Sequence, residues 1–353
     1  MVNASMSTVT SWKILTTTEA AWERLLIDCE GAQKSIDIEQ YIFGDSGKII
    51  ETLVEILKRK ASEGIRVRLL LDAVGSFAFY RSKLPAEMEL AGVQIVFHRR
   101  VIPPSFNRFV PLFLRDHRKL IIIDGEEAHI SGVILHERAR SWRDTTAILT
   151  GDIVDECTVM FEIARTRSRK MSPAGRVLSK KGAGDFYLAG NSFRLRDKHL
   201  YRSIVRAITE AKKTIYITTP YFSLPHDLKR ALWYARDKGV EVIFLLPKRS
   251  DNLLADIISR FYYARLLRHG VTIFHYTRSI LHAKTICIDG RWATVGSCNL
   301  DWLSIWVNYE LNVISKNLEF ATELERIFHE DITTSEQVTE KTGGWYGLFG
   351  VFN

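Results

Sequence analysis

The sequence predicts an α/β fold written twice, each half a largely buried sheet flanked by helices. Two matching stretches lead to this: "HRKLIIID" at 117–124 and "HAKTICID" at 282–289 share the order His, one residue, Lys, four residues, Asp. The segments ahead of them also recur in the same order. Each recurrence is a β-branched run too apolar for an exposed strand, behind an amphipathic stretch of helical period.

In the first half, Trp22, Leu25, Leu26 and Cys29 mark a helix face ahead of the strand in "GAQKSIDIEQYIF" (31–43). Ile49, Ile50, Leu53, Val54 and Leu57 mark the next helix, followed by strands in "GIRVRLLLD" (64–72) and "AGVQIVFH" (91–98). In the second half Tyr201, Ile204, Val205 and Ile208 precede "EAKKTIYITTPYF" (210–222). Leu228, Leu232 and Ala235 then precede "GVEVIFLLP" (239–247) and "HGVTIFHY" (269–276). Between the halves lies a stretch rich in Gly, Ser and basic residues, the composition of a connector. The expected division is 1–165, a connector at 166–192, and 193–353.

The totals fit a globular chain with a sizeable core, 353 residues of which 46% are hydrophobic. A formal charge of +8 favours an anionic partner, either nucleic acid or an acidic lipid surface. Cys29, Cys157, Cys287 and Cys298 show no paired or metal-type spacing, which fits a reducing, cytoplasmic compartment. The start "MVNASMSTVTSWK" does not read as a signal peptide, and no apolar run approaches the ~20 residues that span a bilayer. Any contact with a membrane is expected from one side, at the inner face of the cell membrane.

The chemistry follows from strand geometry. Alternate side chains share a face, so His117 and Lys119 point together, as do His282 and Lys284. Folding the halves about a pseudo-two-fold axis brings two imidazoles and two ammoniums into one pocket. One His can attack the phosphorus of a phosphodiester while the other protonates the leaving oxygen, with lysines supplying the positive field. This scheme needs no metal or other cofactor. Each imidazole needs a partner to fix its tautomer, and carboxylates follow at similar offsets: Asp144 is 27 residues after His117, Glu310 28 after His282. Both are assigned as orienting acids. The motif carboxylates Asp124 and Asp289 belong to the same pattern, but each opens an Asp-Gly turn and is expected to be structural.

These residues resemble the phospholipase D superfamily over about 20–335, through "HRKLIIIDG", "LHAKTICIDGRWATVGSCNLD" and "SIWVNYE". The surrounding "EQYIF", "WRDT", "TTPYF" and "LLPKRSD" are most similar to bacterial cardiolipin synthases. The resemblance implies two α/β/α halves with mixed sheets, a central site at their interface, and a phosphohistidine intermediate. His117 is the nucleophile and His282 the general acid and base by analogy with relatives. Ser297 and Asn299 are expected to join Lys284 in holding phosphate oxygens. The implied reaction joins two phosphatidylglycerols and releases glycerol. In the first half Ile134 stands where Asn299 stands in the second, and Leu303 occupies a position where relatives often have Arg.

Access to lipid is expected from "RRVIPPSFNRFVPLFLRD" (99–116), where Phe106, Phe109 and Phe113 alternate with arginines, and from the tail "GGWYGLFGVFN" with Trp345 and Phe349. The basic run from Arg165 to Lys181 is either a solvated face or a contact for anionic lipid. Two rival functions keep the chemistry: a phospholipase D that hydrolyses phospholipids, and a phosphodiesterase acting on nucleic acid. The latter is disfavoured because the aromatics gather in an apolar loop and tail, not along a basic groove. A non-enzymatic phosphate-binding scaffold fits least well. Oligomeric state has no signature in the sequence.

Overall fold

The computed structural model describes residues 8–98, 114–170, 184–192 and 197–339. The first half runs β1 (Ser11–Leu15), α1 (Thr18–Gly31), β2 (Ser35–Gln40), α2 (Lys48–Ser62), β3 (Arg66–Asp72), α3 (Phe77–Arg81), α4 (Leu84–Leu90) and β4 (Gln94–His98). It continues through β5 (Leu120–Ile123), β6 (Glu127–Ser131), β7 (Thr146–Thr150) and α5 (Ile153–Lys170). The second opens with β8 (Phe186–Ser192), β9 (Asp197–Lys198), α6 (His199–Glu210), β10 (Thr214–Thr218), α7 (His226–Asp237), β11 (Glu241–Pro247) and α8 (Leu253–Arg260). Then come α9 (Tyr263–Arg268), β12 (Thr272–Tyr276), β13 (Thr285–Ile288), β14 (Trp292–Gly296), α10 (Trp302–Trp306), β15 (Glu310–Ser315), α11 (Leu318–Thr333) and β16 (Ser335–Gln337).

Helices form where the period predicts them. Thr17 caps α1 by accepting from the Ala20 amide, and Trp22, Leu25 and Cys29 turn one stripe inward. Ile49, Ile50, Leu53, Val54 and Leu57 do the same for α2.

The sheets have the same wiring. In the first, the order is β1-β7-β6-β5-β2-β3-β4; in the second, β16-β12-β11-β10-β13-β14-β15-β8-β9. In each, three parallel strands (β2, β3, β4; β10, β11, β12) are continued by antiparallel motif strands and hairpins. Strands β1 and β8 occupy equivalent places, antiparallel to β7 and β15, and β9 and β16 extend the second sheet at its two edges. The sheets are therefore mixed, as expected. Strands β1, β6, β7, β8, β14 and β15 and the helices α5 and α11 lie outside the periodic stretches singled out in the sequence.

The expected connector begins inside α5, which continues to Lys170, and its end is β8. Two members of its basic run turn inward rather than to solvent. Arg165 is buried with a bond to Gln94, and Arg167 reaches Asp116.

Three apolar clusters fill the spaces between layers. One packs α1 and α2 on the first sheet, another α6, α7 and α9 on the second. A third joins the halves: Leu120, Ile122, Ile130 and Leu149 share it with Val295, Leu311 and Val313, together with Phe161 of α5 and Phe320 of α11. Shared burial on this scale makes the two halves one body.

Candidate active site

Both motif strands end at a hairpin in which Asp and Gly take positive φ, Asp124 at 56° with Gly125 at 70°, and Asp289 at 55° with Gly290 at 60°. A mirror-image turn requires that conformation, which Asp and Gly tolerate best. Asp124 also accepts from the Gln33, Lys34 and Ser35 amides, so it staples the turn to the start of β2. Asp289 accepts in the same way from Lys212, Lys213 and Thr214. Each sits at the far end of its strand from the histidine. Their bonds are structural, so their place in the motif does not make them catalytic groups.

At the other end of the strands the halves meet through two isolated parallel bridges, Asp116 with Tyr309 and Arg143 with Leu281. The His117 amide donates to the Tyr309 carbonyl at 3.0 Å, and the His282 amide to the Arg143 carbonyl at 2.8 Å. Tyr309 and Arg143 directly precede Glu310 and Asp144. The bridges therefore set each histidine beside the carboxylate of the opposite half. Nδ1 of His117 lies 3.0 Å from Glu310 Oε1, and Nδ1 of His282 lies 2.6 Å from Asp144 Oδ2. Equal spacing along the chain suggested a partner within each half; the structure exchanges the partners.

With the carboxylate accepting from Nδ1–H, each imidazole keeps its Nε2 lone pair for chemistry. Burial lowers the pKa of His117, with Lys119 and Lys284 adding to the effect against Glu310. Burial, aided by Lys284, pushes His282 down to about 4. Both rings are thus neutral near pH 7. Burial and the neighbouring Lys284 also bring Lys119 down to about 7, and burial lowers Lys284. Burial opposes ionisation of Asp144, but Lys284 and His282 outweigh it and hold its pKa below the usual carboxylate range. Lys119 donates to the His117 carbonyl at 2.7 Å, and Lys284 donates to that of His282.

The two sides of the site differ. Ser297 Oγ donates to Glu310 Oε2 at 2.5 Å and accepts from the Leu311 amide. Its counterpart is Gly132, where a Cβ would lie 2.3 Å from Asp144 Oδ1. Ser297 thus supports an acid. Asn299 donates to Ser304 Oγ at 3.4 Å, and its buried Oδ1 has no hydrogen-bond partner among the described residues. Phosphate oxygens only accept, so of the Asn299 amide it is the nitrogen, with its second N–H, that suits one. Ile134, at the matching place, is buried in the first-half core, and its carbonyl accepts from Trp22 Nε1.

Other residues shape the pocket without a place in the motifs. Tyr41 packs edge-on to His117 with ring centres 4.8 Å apart; Trp142 and Tyr221 approach His282 at 5.1 and 6.5 Å. Tyr41 and Tyr221 lie one position out of register in the matching stretches "EQYIF" and "TTPYF", and an aromatic just ahead of the shared Phe was the available signal. Arg167 stacks 3.7 Å from the centre of Tyr309 and bonds Asp116, so α5 braces the bridge beside His117.

Phe106, Phe109, Phe113, Trp345 and Phe349 lie outside the described residues. All four cysteines are free and buried. No helix of the described residues is long and apolar enough to cross a membrane.

Comparison with known proteins agrees with this fold. The family model described as "Cardiolipin synthase, PLD-like domain" matches residues 25–162 and 204–332. A cardiolipin synthase of Halalkalibacterium halodurans is 32% identical over 96% of this chain and 69% of its own. A probable cardiolipin synthase of Bacillus subtilis is 30% identical over 95% and 68%. Among solved structures, a phosphatidylserine synthase of Haemophilus influenzae shares the fold at a TM-score of 0.72 and 13% identity, covering 95% of this chain and 90% of its own. Two Nδ1-anchored histidines between repeated sheets, and a family match over both repeats, place this chain in the cardiolipin synthase family of phospholipase D-like enzymes.

Proposed function

We propose that this enzyme transfers a phosphatidyl group from one phosphatidylglycerol to another, giving cardiolipin and glycerol through a phosphohistidine on His117. The observation that carries the reading is the pair of cross-half contacts, His117 with Glu310 and His282 with Asp144, which leaves two neutral imidazoles with free Nε2 atoms. In the first step Nε2 of His117 bonds to phosphorus, the bond to the glycerol oxygen breaks, and His282 gives that oxygen its proton. In the second, a hydroxyl of the incoming phosphatidylglycerol attacks phosphorus while His282 takes its proton and the P–N bond breaks.

A general acid must be protonated, and a His282 pKa of about 4 leaves the ring neutral near pH 7 before substrate binds. Lys284 contributes to that depression. A phosphate anion pairing with Lys284 offsets it and adds a negative charge nearby, so substrate raises the His282 pKa as it binds. The substrate thereby arms its own acid.

Water is the competing acceptor. Transfer requires an alcohol held in line while water is excluded, as effective molarity can outweigh bulk water. A surface packed with lipid hydroxyls supports that outcome, and the family match supports transfer over hydrolysis. Peripheral contact with an anionic leaflet is part of this proposal. Incubation with phosphatidylglycerol vesicles, followed by mass spectrometry of the lipids, tests it: cardiolipin should exceed phosphatidic acid. Phosphatidic acid as the main product would make the enzyme a phospholipase.

A further inference from the structure

Helix α8 is built inside out. Its 100° spacing gathers Leu253, Leu254, Ile257, Ile258 and, one residue beyond, Phe261 on one arc, and these five are 42–75% exposed. Its polar members face inward instead. Asp256 accepts from the Ser250 amide, and Ser259 Oγ exchanges hydrogen bonds with the Phe222 backbone. Single exposed apolar side chains are ordinary, but a contiguous set marks a surface that something covers.

A second apolar pair lies on α10, Trp302 and Leu303, 59% and 46% exposed. The loop 219–223 touches both elements: Phe222 is held by Ser259 of α8, and the Ser223 amide donates to the Leu300 carbonyl just ahead of α10. The same loop carries Tyr221, which packs near His282 and whose hydroxyl donates to Asp251 at the entry to α8. The apolar surface therefore adjoins the edge of the catalytic pocket.

Charge indicates the occupant. Residues 248–268 hold five Lys or Arg against two Asp; Lys248 pairs with Glu336, which leaves Arg249, Arg260, Arg265 and Arg268 with no ion pair among the described residues. Both acids are engaged, Asp251 with Tyr221 and Asp256 with the Ser250 amide. A basic rim around an apolar face suits an anionic lipid leaflet.

We propose that α8 and α10 form the surface on which this enzyme docks on an anionic phospholipid leaflet. The α8 arc enters the acyl boundary, and Arg249 and Arg260 meet headgroup phosphates. The pocket beside Tyr221 then opens toward the lipid plane. This rests on the phospholipid-substrate reading above and assigns the contact to elements other than the 99–116 loop and the tail.

The test uses the full chain. Because the four native cysteines are buried, an environment-sensitive dye can be placed on the variant Ile257→Cys alone. Its emission should shift to the blue on phosphatidylglycerol vesicles and stay unchanged on phosphatidylcholine vesicles. Leu254→Ser with Phe261→Ser should weaken vesicle binding at least tenfold, with unchanged Tm and unchanged mass by light scattering. An unmoved dye or undiminished binding overturns the proposal. A fall in Tm shows that the chain itself covers this face, and a fall in mass shows that a second copy does; either also overturns it. Turnover of short-chain, monomeric phosphatidylglycerol by the wild type judges the substrate reading separately.

Discussion

Glu310 of the second half holds His117 of the first, with Oε1 3.0 Å from Nδ1, and Asp144 of the first half holds His282 of the second. Neither half contains a complete catalytic pair. A single half folded alone would present a histidine with no carboxylate behind it, which explains why the shared core between the sheets is functionally required.

Replacing either acid should disable the site without unfolding it. Glu310→Gln and Asp144→Asn keep volume but can hold the wrong tautomer at Nδ1. We expect kcat to fall by roughly 10²–10⁴-fold in each, with far-ultraviolet circular dichroism unchanged. Near-normal turnover in either variant would remove the orienting role.

The Gly132 and Ser297 pair gives a reciprocal test. Gly132→Ser puts a Cβ against Asp144 Oδ1, with only 2.3 Å available, and should displace the acid from His282. Ser297→Gly removes one bond to Glu310 and leaves its contact with His117 in place. The first variant should lose kcat by at least about 10²-fold and the second by about tenfold. Equal effects would mean that the two sides are not differentiated as described.

Lys119 makes anion binding pH-dependent. Its pKa of about 7 before an anion binds means that the ammonium is present below that pH and lost above it. A bound anion favours the charged form, so affinity should fall as pH rises through 7 to 9. Sulfate is a suitable probe because it stays dianionic over this range. Its inhibition constant should rise with pH in the wild type and respond much less in Lys119→Met. A flat wild-type profile would contradict the depressed pKa.

Much of the architecture was legible because each helix and parallel strand repeats a pattern of its own. The His-x-Lys pairs stood out for the same reason. The exchange of acids was not legible: residue spacing measures distance along a chain, whereas the bridges of Asp116 to Tyr309 and Arg143 to Leu281 are made between halves. Ser297 was expected at phosphate by the family resemblance; its bond to Glu310 had no signal in the sequence. Arg165 and Arg167 read as part of a run that was either a solvated face or a lipid contact, but Gln94, Asp116 and Tyr309 supply partners from distant sequence. The α8 surface escaped notice because its helical period is ordinary; only burial reveals that the apolar arc faces out.

The two Asp-Gly turns separate structure from chemistry. Asp124→Gly keeps the positive φ while removing the acceptor for three amides. Stability should drop by about 1–3 kcal/mol with kcat per folded molecule little changed. Thermal melts alongside active-site titration measure both. A large loss of kcat at normal stability would return Asp124 to the catalytic set.

The central claim is a covalent phosphohistidine on His117, formed while His282 handles the proton. Rapid mixing with phosphatidylglycerol labelled at phosphorus, quenching without acid and sequencing the labelled peptide test it most directly. The label should lie on His117, be absent from His117→Ala, and accumulate when the acceptor hydroxyl is blocked. Label on His282 would reverse the roles, and turnover with no labelled histidine at any time would contradict the covalent route.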